Sequence, residues 1–270
     1  PEGVVYGAQG PFGRFKVAAK VAVSLPSYQT IHLGKQSSCT KNNCGWVQEE
    51  TMMESIQKQL GLSYTQVASI ASWENIEYAV HQGPGDFFSH AGANAPMTLN
   101  DPVLQDLAQK AATDLPERWH ASKKDEYTAQ MSLHYLEQYC PRLMYISFLG
   151  SDELGHLNDY AGYIKALKTY DDFMDELYTK LESMGEYGKS TTVFLSTDHG
   201  RGVGPFFRHH SVMKFTEKKI FLFVKGPHTK KMGRTRKKSH DQTYIRTTVE
   251  KIFGLPLTHN QNYLKEVVQE

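Results

Sequence analysis

The sequence predicts an α/β protein, a mostly parallel sheet covered by helices on both faces in a three-layer α/β/α sandwich. Three observations carry this. Short runs rich in β-branched and aromatic residues alternate along the chain with stretches of helical periodicity, the order that parallel β connections require. The 270 residues are 40% hydrophobic and 22% charged, ordinary for a packed globular chain and wrong for disorder, collagen or a coiled coil. No internal repeat and no linker divides the sequence, so residues 1–270 are expected to form a single domain.

The elements follow in order. Residues Phe15 to Val23 form an apolar extended segment ended by Ser24-Leu25-Pro26-Ser27, and a helix starts at Pro26, since proline is tolerated in the first turn, where its missing N–H has no partner to lose. Ser24 or Ser27 can cap it. Thr51 to Leu60 is helical, with Met52, Met53, Ile56 and Leu60 on one face and Gly61 as its stop. Gln66 to Trp73 is a buried strand. Asp101-Pro102 opens a helix through about Ala112, Asp125 opens another to Tyr139, and Pro141 follows it. Arg142 to Leu149 is the clearest strand, and Tyr160 to Met184 the longest helix, with Ile164, Leu167, Phe173, Leu177, Leu181 and Met184 at helical spacing. Thr191–Leu195 and Lys219–Val224 are short buried strands, and Gln242–Phe253 is a closing helix with Gly254 after it.

Charge offers no guide to a partner. Thirty Lys+Arg against 29 Asp+Glu give a formal net charge of +1, so neither nucleic acid nor an anionic membrane is favoured globally. No apolar run reaches the roughly 18 residues of a membrane span, and the N-terminus lacks a charged start followed by an apolar stretch. Of the three cysteines, Cys39 and Cys44 are close enough to close a small loop as a disulfide, or are ordinary thiols. The bridge would favour an oxidising compartment. The basic residues Lys230, Lys231, Arg234, Arg236, Lys237 and Lys238 read first as a solvated loop and second as a lure for phosphorylated substrates, and they lack the interleaved aromatics of a nucleic-acid surface.

In sheets of this kind the ligand site lies beyond the carboxyl ends of the strands. The strand ending at Leu149 runs into Gly150-Ser151-Asp152-Glu153-Leu154-Gly155-His156, and the one ending at Leu195 runs into Ser196-Thr197-Asp198-His199-Gly200. Either pair alone is a weak signal that a turn Asp and a surface His would satisfy. Two carboxylate and imidazole sets at two strand ends are a metal pattern, with oxygen and nitrogen ligands suited to Zn²⁺ and two sets suited to a bimetal centre. Ser24, at a helix N-terminus after a strand, has the dipole and exposed amides that favour an anionic ester, and its plain reading is a capping serine.

Together, Ser24-Leu25-Pro26-Ser27-Tyr28-Gln29-Thr30 with Gly34, Asp152 and His156, Asp198-His199-Gly200, and a His before Phe221-Leu222-Phe223-Val224-Lys225-Gly226-Pro227 resemble the alkaline phosphatase superfamily, in its type I phosphodiesterase/nucleotide pyrophosphatase and sulfatase-like branch. The resemblance spans nearly the whole chain. It implies two divalent ions, usually Zn²⁺, about 4 Å apart, and Ser24 as the nucleophile that becomes esterified. Asp198 and His199 resemble ligands of the ion that activates Ser24, and Asp152 and His156 ligands of the second ion, completed by His210 or its neighbour His209. Asn43 or Asn42 corresponds to the residue that holds a nonbridging oxygen. The implied chemistry is in-line displacement at phosphorus on a small phosphorylated substrate, outside the cytoplasm, in a secreted or periplasmic setting. Sulfatases of the superfamily carry an Arg two residues after the motif proline, and Tyr28 occupies that position here, which ranks a phosphoester above a sulfate ester.

The pattern breaks at one point. The family places a further Asp ligand at the end of its first strand, whereas no Asp precedes Asp86 and the only acid before Ser24 is Glu2. With the chain starting at Pro1, this points to an N-terminally incomplete domain whose first strand is missing. The rival readings are a sulfatase-like hydrolase, a phosphotransferase, and a degenerate member that acts by binding.

Overall fold

A computed structural model describes residues 2–7, 14–83, 85–211, 216–235, 239–259 and 261–268. They group into two compact units, the first over Pro1–Met52 and Lys189–Glu270 and the second over Met53–Gly188. Because the first unit is discontinuous in sequence, no linker marks its edges.

The first unit opens with β1 (Val4–Tyr6), β2 (Phe15–Lys16) and α1 (Ser24–Leu33), and α2 (Met52–Leu60) leads out of it. The second contains β3 (Val67–Ala71), α3 (Glu77–Val80), β4 (Phe88–Ala91), α4 (Pro102–Thr113), α5 (Asp125–Tyr139), β5 (Leu143–Ser147), α6 (Gly150–His156) and α7 (Tyr160–Ser183). After α8 (Glu186–Ser190) the chain completes the first unit with β6 (Val193–Ser196), β7 (Lys219–Ile220), β8 (Leu222–Lys225), β9 (Gly233–Arg234), β10 (His240–Asp241) and α9 (Thr243–Ile252).

The second unit is built on the parallel sheet β4-β3-β5, with Ile70 opposite His90 on one side and Ile146 on the other. All five residues of β3 are buried, so both faces of this central strand are covered, and its continuous run of apolar and small residues follows from that. Ala68, Ile70 and Phe88 pack with Leu104 and Leu107 of α4 and Met131 and Tyr135 of α5. The rings of Phe88 and Tyr135 stack at 4.8 Å. Helix α4 starts as expected from Asp101-Pro102, with the Asp101 side chain accepting from the amides of Val103 and Leu104.

The first unit holds two sheets, β6-β8-β1-β9 and β10-β2-β7. In these, β8 runs antiparallel to both β1 and β6, and β7 antiparallel to β2. The segment expected as one strand, Lys219–Val224, is divided at Phe221, because its first part pairs with β2 and its second with β1 and β6. The segment Phe15–Val23 enters a ladder only at Phe15–Lys16. Beyond that its polar groups are met in other ways: the Ala18 amide donates to the Gln242 side chain, and the Ala19 and Lys20 carbonyls accept from Lys218 Nζ.

Helix α1 ends at Gly34, in the left-handed region at φ 68°. A Cβ here would lie 2.9 Å from Cδ of Arg246, so glycine is required by conformation and by this close approach. Arg246 and Glu250 are fully buried and paired at 2.7 Å. The guanidinium also donates to the carbonyls of His32, Leu33 and Glu50, and Glu250 accepts from the Thr258 amide and hydroxyl. A buried cation thus sits on the carbonyl end of α1, where the helix dipole favours it. Among the described residues no helix is long and apolar enough to cross a membrane.

Candidate active site

Ser24 is the first residue of α1, and the capping position belongs to Val23, in extended conformation and with no side-chain cap. The plain reading of Ser24 as a capping serine is therefore not what the structure shows. Its side chain is buried and its Oγ lies 3.1 Å from Nε2 of His199. His199 and Asp198 follow directly on the end of β6, and Asp198 Oδ2 lies 3.3 Å from the same Nε2.

The other ring nitrogen decides what this cluster can do. His199 Nδ1 lies 2.9 Å from the Gly200 carbonyl. A carbonyl only accepts, so Nδ1 carries a proton, and a neutral ring held in this tautomer presents a lone pair at Nε2. A Ser-His-Asp relay needs its carboxylate on the nitrogen opposite the serine. Here both Ser24 and Asp198 meet Nε2, which excludes that arrangement. A lone pair facing a carboxylate oxygen is unfavourable unless a cation stands between them. Donor atoms 3.1 and 3.3 Å apart match the edge of a tetrahedron around an ion with bonds of about 2.0–2.1 Å. The donor set fits a divalent ion held by Asp198, His199 and Ser24.

His210 adds a second imidazole to this unit. Its ring stacks on His199 at 4.2 Å and 24°, and its Nδ1 donates to the Ala22 carbonyl at 2.9 Å, which orients the ring as outer hydrogen bonds orient metal-ligating histidines. His209 is exposed and accepts from Arg208 Nε at its own Nε2. Position beside His199 thus distinguishes His210 from its neighbour.

The loop after α1 separates the two asparagines in the same way. Cys39 and Cys44 are joined in a disulfide with Cα atoms 5.8 Å apart, and the loop is tied to α1 through Ser37, which bonds Gln29 and Thr30, and through Gln29 Nε2 on the Gly45 carbonyl. Asn42 Oδ1 accepts from the Leu25 amide at 3.0 Å, one residue from Ser24. Asn43 is exposed. The placement favours Asn42 for contact with a substrate oxygen.

Sequence reasoning missed Gln242. This fully buried side chain donates from Nε2 to the Asp198 carbonyl at 2.5 Å and accepts from the Ala18 amide at 3.2 Å, so it fixes the backbone that carries Asp198. Nothing in the sequence marks it, since a glutamine before a helix is ordinary. The early acid Glu2 is no substitute ligand, being paired with Lys225 at the surface.

In the second unit, Asp152 and His156 lie one turn apart on α6, with Asp152 Oδ2 3.3 Å from His156 Nε2. The segment, placed by the sequence just beyond a strand end, is a seven-residue helix, and its i,i+4 spacing places the two side chains on one face. The edge of Trp119 meets the His156 ring at 5.6 Å, and the Arg118 amide donates to Glu153. The basic residues Arg236, Lys237 and Lys238 lie outside the described residues.

Residues 27–263 match the family model described as type I phosphodiesterase / nucleotide pyrophosphatase. No curated protein matches the sequence. Among solved structures, BT4656 in complex with its substrate D-glucosamine-2-N,6-O-disulfate is similar with a TM-score of 0.61 at 12% identity, over 98% of this chain and 72% of that one. The phosphonate monoester hydrolase SpPMH from Silicibacter pomeroyi gives 0.59 at 9% identity, over 97% and 68%. The alkaline phosphatase from the Antarctic bacterium TAB5 gives 0.55 at 12% identity, over 91% and 88%. A variant of the TAB5 enzyme binds Mg in a site called M3.

Proposed function

Because this chain belongs to the type I phosphodiesterase / nucleotide pyrophosphatase family, we propose that it hydrolyses phosphoesters through a covalent intermediate on Ser24, with two divalent ions, Zn²⁺, as cofactors. One observation carries this reading: Ser24 Oγ and Asp198 Oδ2 both converge on Nε2 of His199, at 3.1 and 3.3 Å, while its Nδ1 is taken by the Gly200 carbonyl.

A divalent ion bound there supplies positive charge that lowers the pKa of the Ser24 hydroxyl and neutralises charge on the phosphoryl oxygens. The chain does the rest. Asp198 and His199 hold the ion, the Gly200 carbonyl keeps the His199 lone pair in place, and Gln242 fixes the backbone of Asp198. Ser24 Oγ gives up its proton and attacks phosphorus, the bond to the leaving oxygen breaks, that oxygen takes a proton to leave as an alcohol, and an ester of Ser24 forms: phosphoserine from a monoester, a serine phosphodiester from a diester. Water then cleaves this ester from the opposite side, releasing phosphate from a monoester or a phosphomonoester from a diester and restoring the hydroxyl. Asn42, anchored on the Leu25 amide, holds a nonbridging oxygen through its own amide. His210 is assigned to metal binding by its position in the sequence motif, as are Asp152 and His156 for the second ion.

The Cys39–Cys44 bridge supports an extracytoplasmic setting. The substrate is a small phosphorylated molecule, and the sequence carries no signature of a nucleic-acid surface. Ser24, with Tyr28 where sulfatases carry Arg, supports a phosphoester over a sulfate ester.

The test is metal content by plasma mass spectrometry, paired with hydrolysis of p-nitrophenyl phosphate, bis-p-nitrophenyl phosphate and p-nitrophenyl sulfate. Two ions per chain with turnover of the phosphoesters are expected, and Asp198→Ala should lose turnover together with one ion. Turnover confined to the sulfate ester, or unchanged metal content and turnover in Asp198→Ala, would overturn the reading.

A further inference from the structure

We propose that Asp125 is a positioning residue of the phosphoester reaction, one that sets Asp152 and His156 by holding the first turn of α6 with both oxygens of its carboxylate. The proposal rests on the reading in which Asp152 and His156 bind the second ion.

Helix α6 cannot hold itself. Seven residues that include Gly150 and Gly155 are too few and too poor in helix propensity to form a stable helix in isolation. Its leading amides need partners; the Asp152 amide donates to the Leu149 carbonyl, and the amides of Leu149, Gly150 and Ser151 find theirs elsewhere in the second unit. Asp125 Oδ1 accepts from the Leu149 amide and Oδ2 from the Gly150 amide, both at 2.8 Å. The next amide, of Ser151, donates to the Tyr170 hydroxyl at 2.9 Å. Tyr170 in turn donates to Asp125 Oδ2 at 2.6 Å, and Ser72 Oγ donates to Oδ1 at 2.6 Å.

The carboxylate therefore accepts four hydrogen bonds, two on each oxygen, and each oxygen faces one backbone N–H. Burial first and then the Asp125 charge push the Tyr170 phenol well above its ordinary pKa, so it stays protonated and donating. Its ring is stacked on Phe148 at 5.0 Å, and Phe148 meets Phe173 edge-on, which locks the hydroxyl in position. At Gly150 a Cβ would lie 2.7 Å from Asp125 Oδ2, so glycine is what lets the carboxylate approach. The amides so occupied are unavailable to a substrate phosphate. Their role is to fix the rotation of a helix that carries Asp152 in its first turn and His156 in its last.

Asparagine is nearly isosteric with aspartate and cannot do this. With a backbone N–H facing each oxygen, either orientation of an Asn side chain points its NH₂ at a donor. The experiment titrates the full chain with Zn²⁺ against a chromogenic chelator and measures kcat and KM on bis-p-nitrophenyl phosphate. Asp125→Asn should weaken one of the two ions by about 10- to 100-fold, the usual effect of removing an outer-shell partner, while the other ion keeps its affinity and kcat falls more than KM rises. Asp152→Ala should lose that same ion, and the double variant should lose nothing further. Tyr170→Phe and Gly150→Ala should move in the same direction, and they carry the test if Asp125→Asn does not fold.

Unchanged affinity at both ions in these variants, or an equal loss at both, overturns the positioning role; the functional reading stands if Asp152→Ala still loses one ion. If Asp152→Ala leaves Zn²⁺ binding unchanged, the metal reading fails and this proposal fails with it.

Discussion

Helices α1 and α6 each carry residues of the proposed chemistry, and they are held from opposite ends. At α1 the anchor is a cation on the carbonyl end, Arg246 on His32 and Leu33. Its amide end is left to Ser24 and to the contact between Leu25 and Asn42. At α6 the anchor is an anion on the amide end, Asp125 on Leu149 and Gly150, with the side chains of interest on the turns that follow. Both anchors have the sign that the helix dipole favours at that end. On the proposed chemistry the difference teaches what each helix is for: one keeps its positive end for an anionic ester, while the other uses that end to aim two side chains.

The largest effect should come from removing the group that α1 presents. Ser24→Ala is expected to lower kcat/KM on bis-p-nitrophenyl phosphate by about 10³-fold or more, as loss of a nucleophile does, with metal content and thermal midpoint nearly unchanged. A residual rate within tenfold of the parent would assign the nucleophile elsewhere. Next comes the anchor of α1. Arg246→Met strands a buried Glu250 carboxylate and should cost about 3–5 kcal/mol in urea unfolding, much of it recovered in the pair Arg246→Met/Glu250→Leu. A loss no greater than that of an exposed substitution would mean that the cation does not hold the helix.

A smaller effect sharpens the account of the amide end. Asn42→Ala should lower kcat by about 10²-fold, as removal of a donor to a developing oxyanion does, whereas Asn43→Ala should match the parent. Equal losses in the two variants would assign the effect to the loop as a whole.

The smallest effect sets one buried cation against another. Arg246 has a carboxylate partner, whereas Lys123, fully buried in the second unit, bonds among the described residues the carbonyls of Ala71, His90 and Gly92 and the His90 ring. Burial lowers its pKa to about 7, against the pull of Glu77 and Asp125. Burial, then the Lys123 charge, lowers that of His90 to about 3. Between about pH 7 and 10 the unfolded chain holds a proton on Lys123 that the folded chain has lost, so stability rises with pH in that window, by at most about 1.4 kcal/mol per pH unit. Below pH 7 this contribution is constant; His90 acts at lower pH, with stability lost as pH falls from 6.5 towards 3. Urea unfolding at pH 7, 8 and 9 should show the steeper rise in the parent and a shallower one in Lys123→Met. Parallel slopes in the two proteins would mean that Lys123 keeps its charge when folded.

How far these regions could be read from sequence follows from how local their determinants are. Helix α5 spans Asp125–Tyr139, the same limits that its acidic start and following proline imply, and α7 and β3 differ from expectation only at their ends. Strand β4, with Ser89 and His90 at its middle, was not anticipated, because it lacks an apolar run and gains its place through pairing with β3. Helix α6 was not anticipated either, since its glycines hide a helix whose amides are met by Asp125 and Tyr170. The ordered motif marked Ser24, Asp198, His199, Asp152 and His156, but it left two choices open, His209 against His210 and Asn42 against Asn43.

The sequence by itself determined the family, through an ordered set of motifs, and the alternation of strands and helices with the residue types at the strand ends, because these depend on periodicity and spacing along the chain. Only the tertiary structure decided which of two adjacent residues faces inward, which nitrogen of His199 meets the Gly200 carbonyl, and which distant side chains, Gln242, Arg246 and Asp125, hold the backbone of Asp198 and the ends of α1 and α6. Those choices rest on hydrogen bonds between residues as far apart as Arg246 and His32, and a carbonyl or carboxylate brought there by folding leaves no mark in the local sequence.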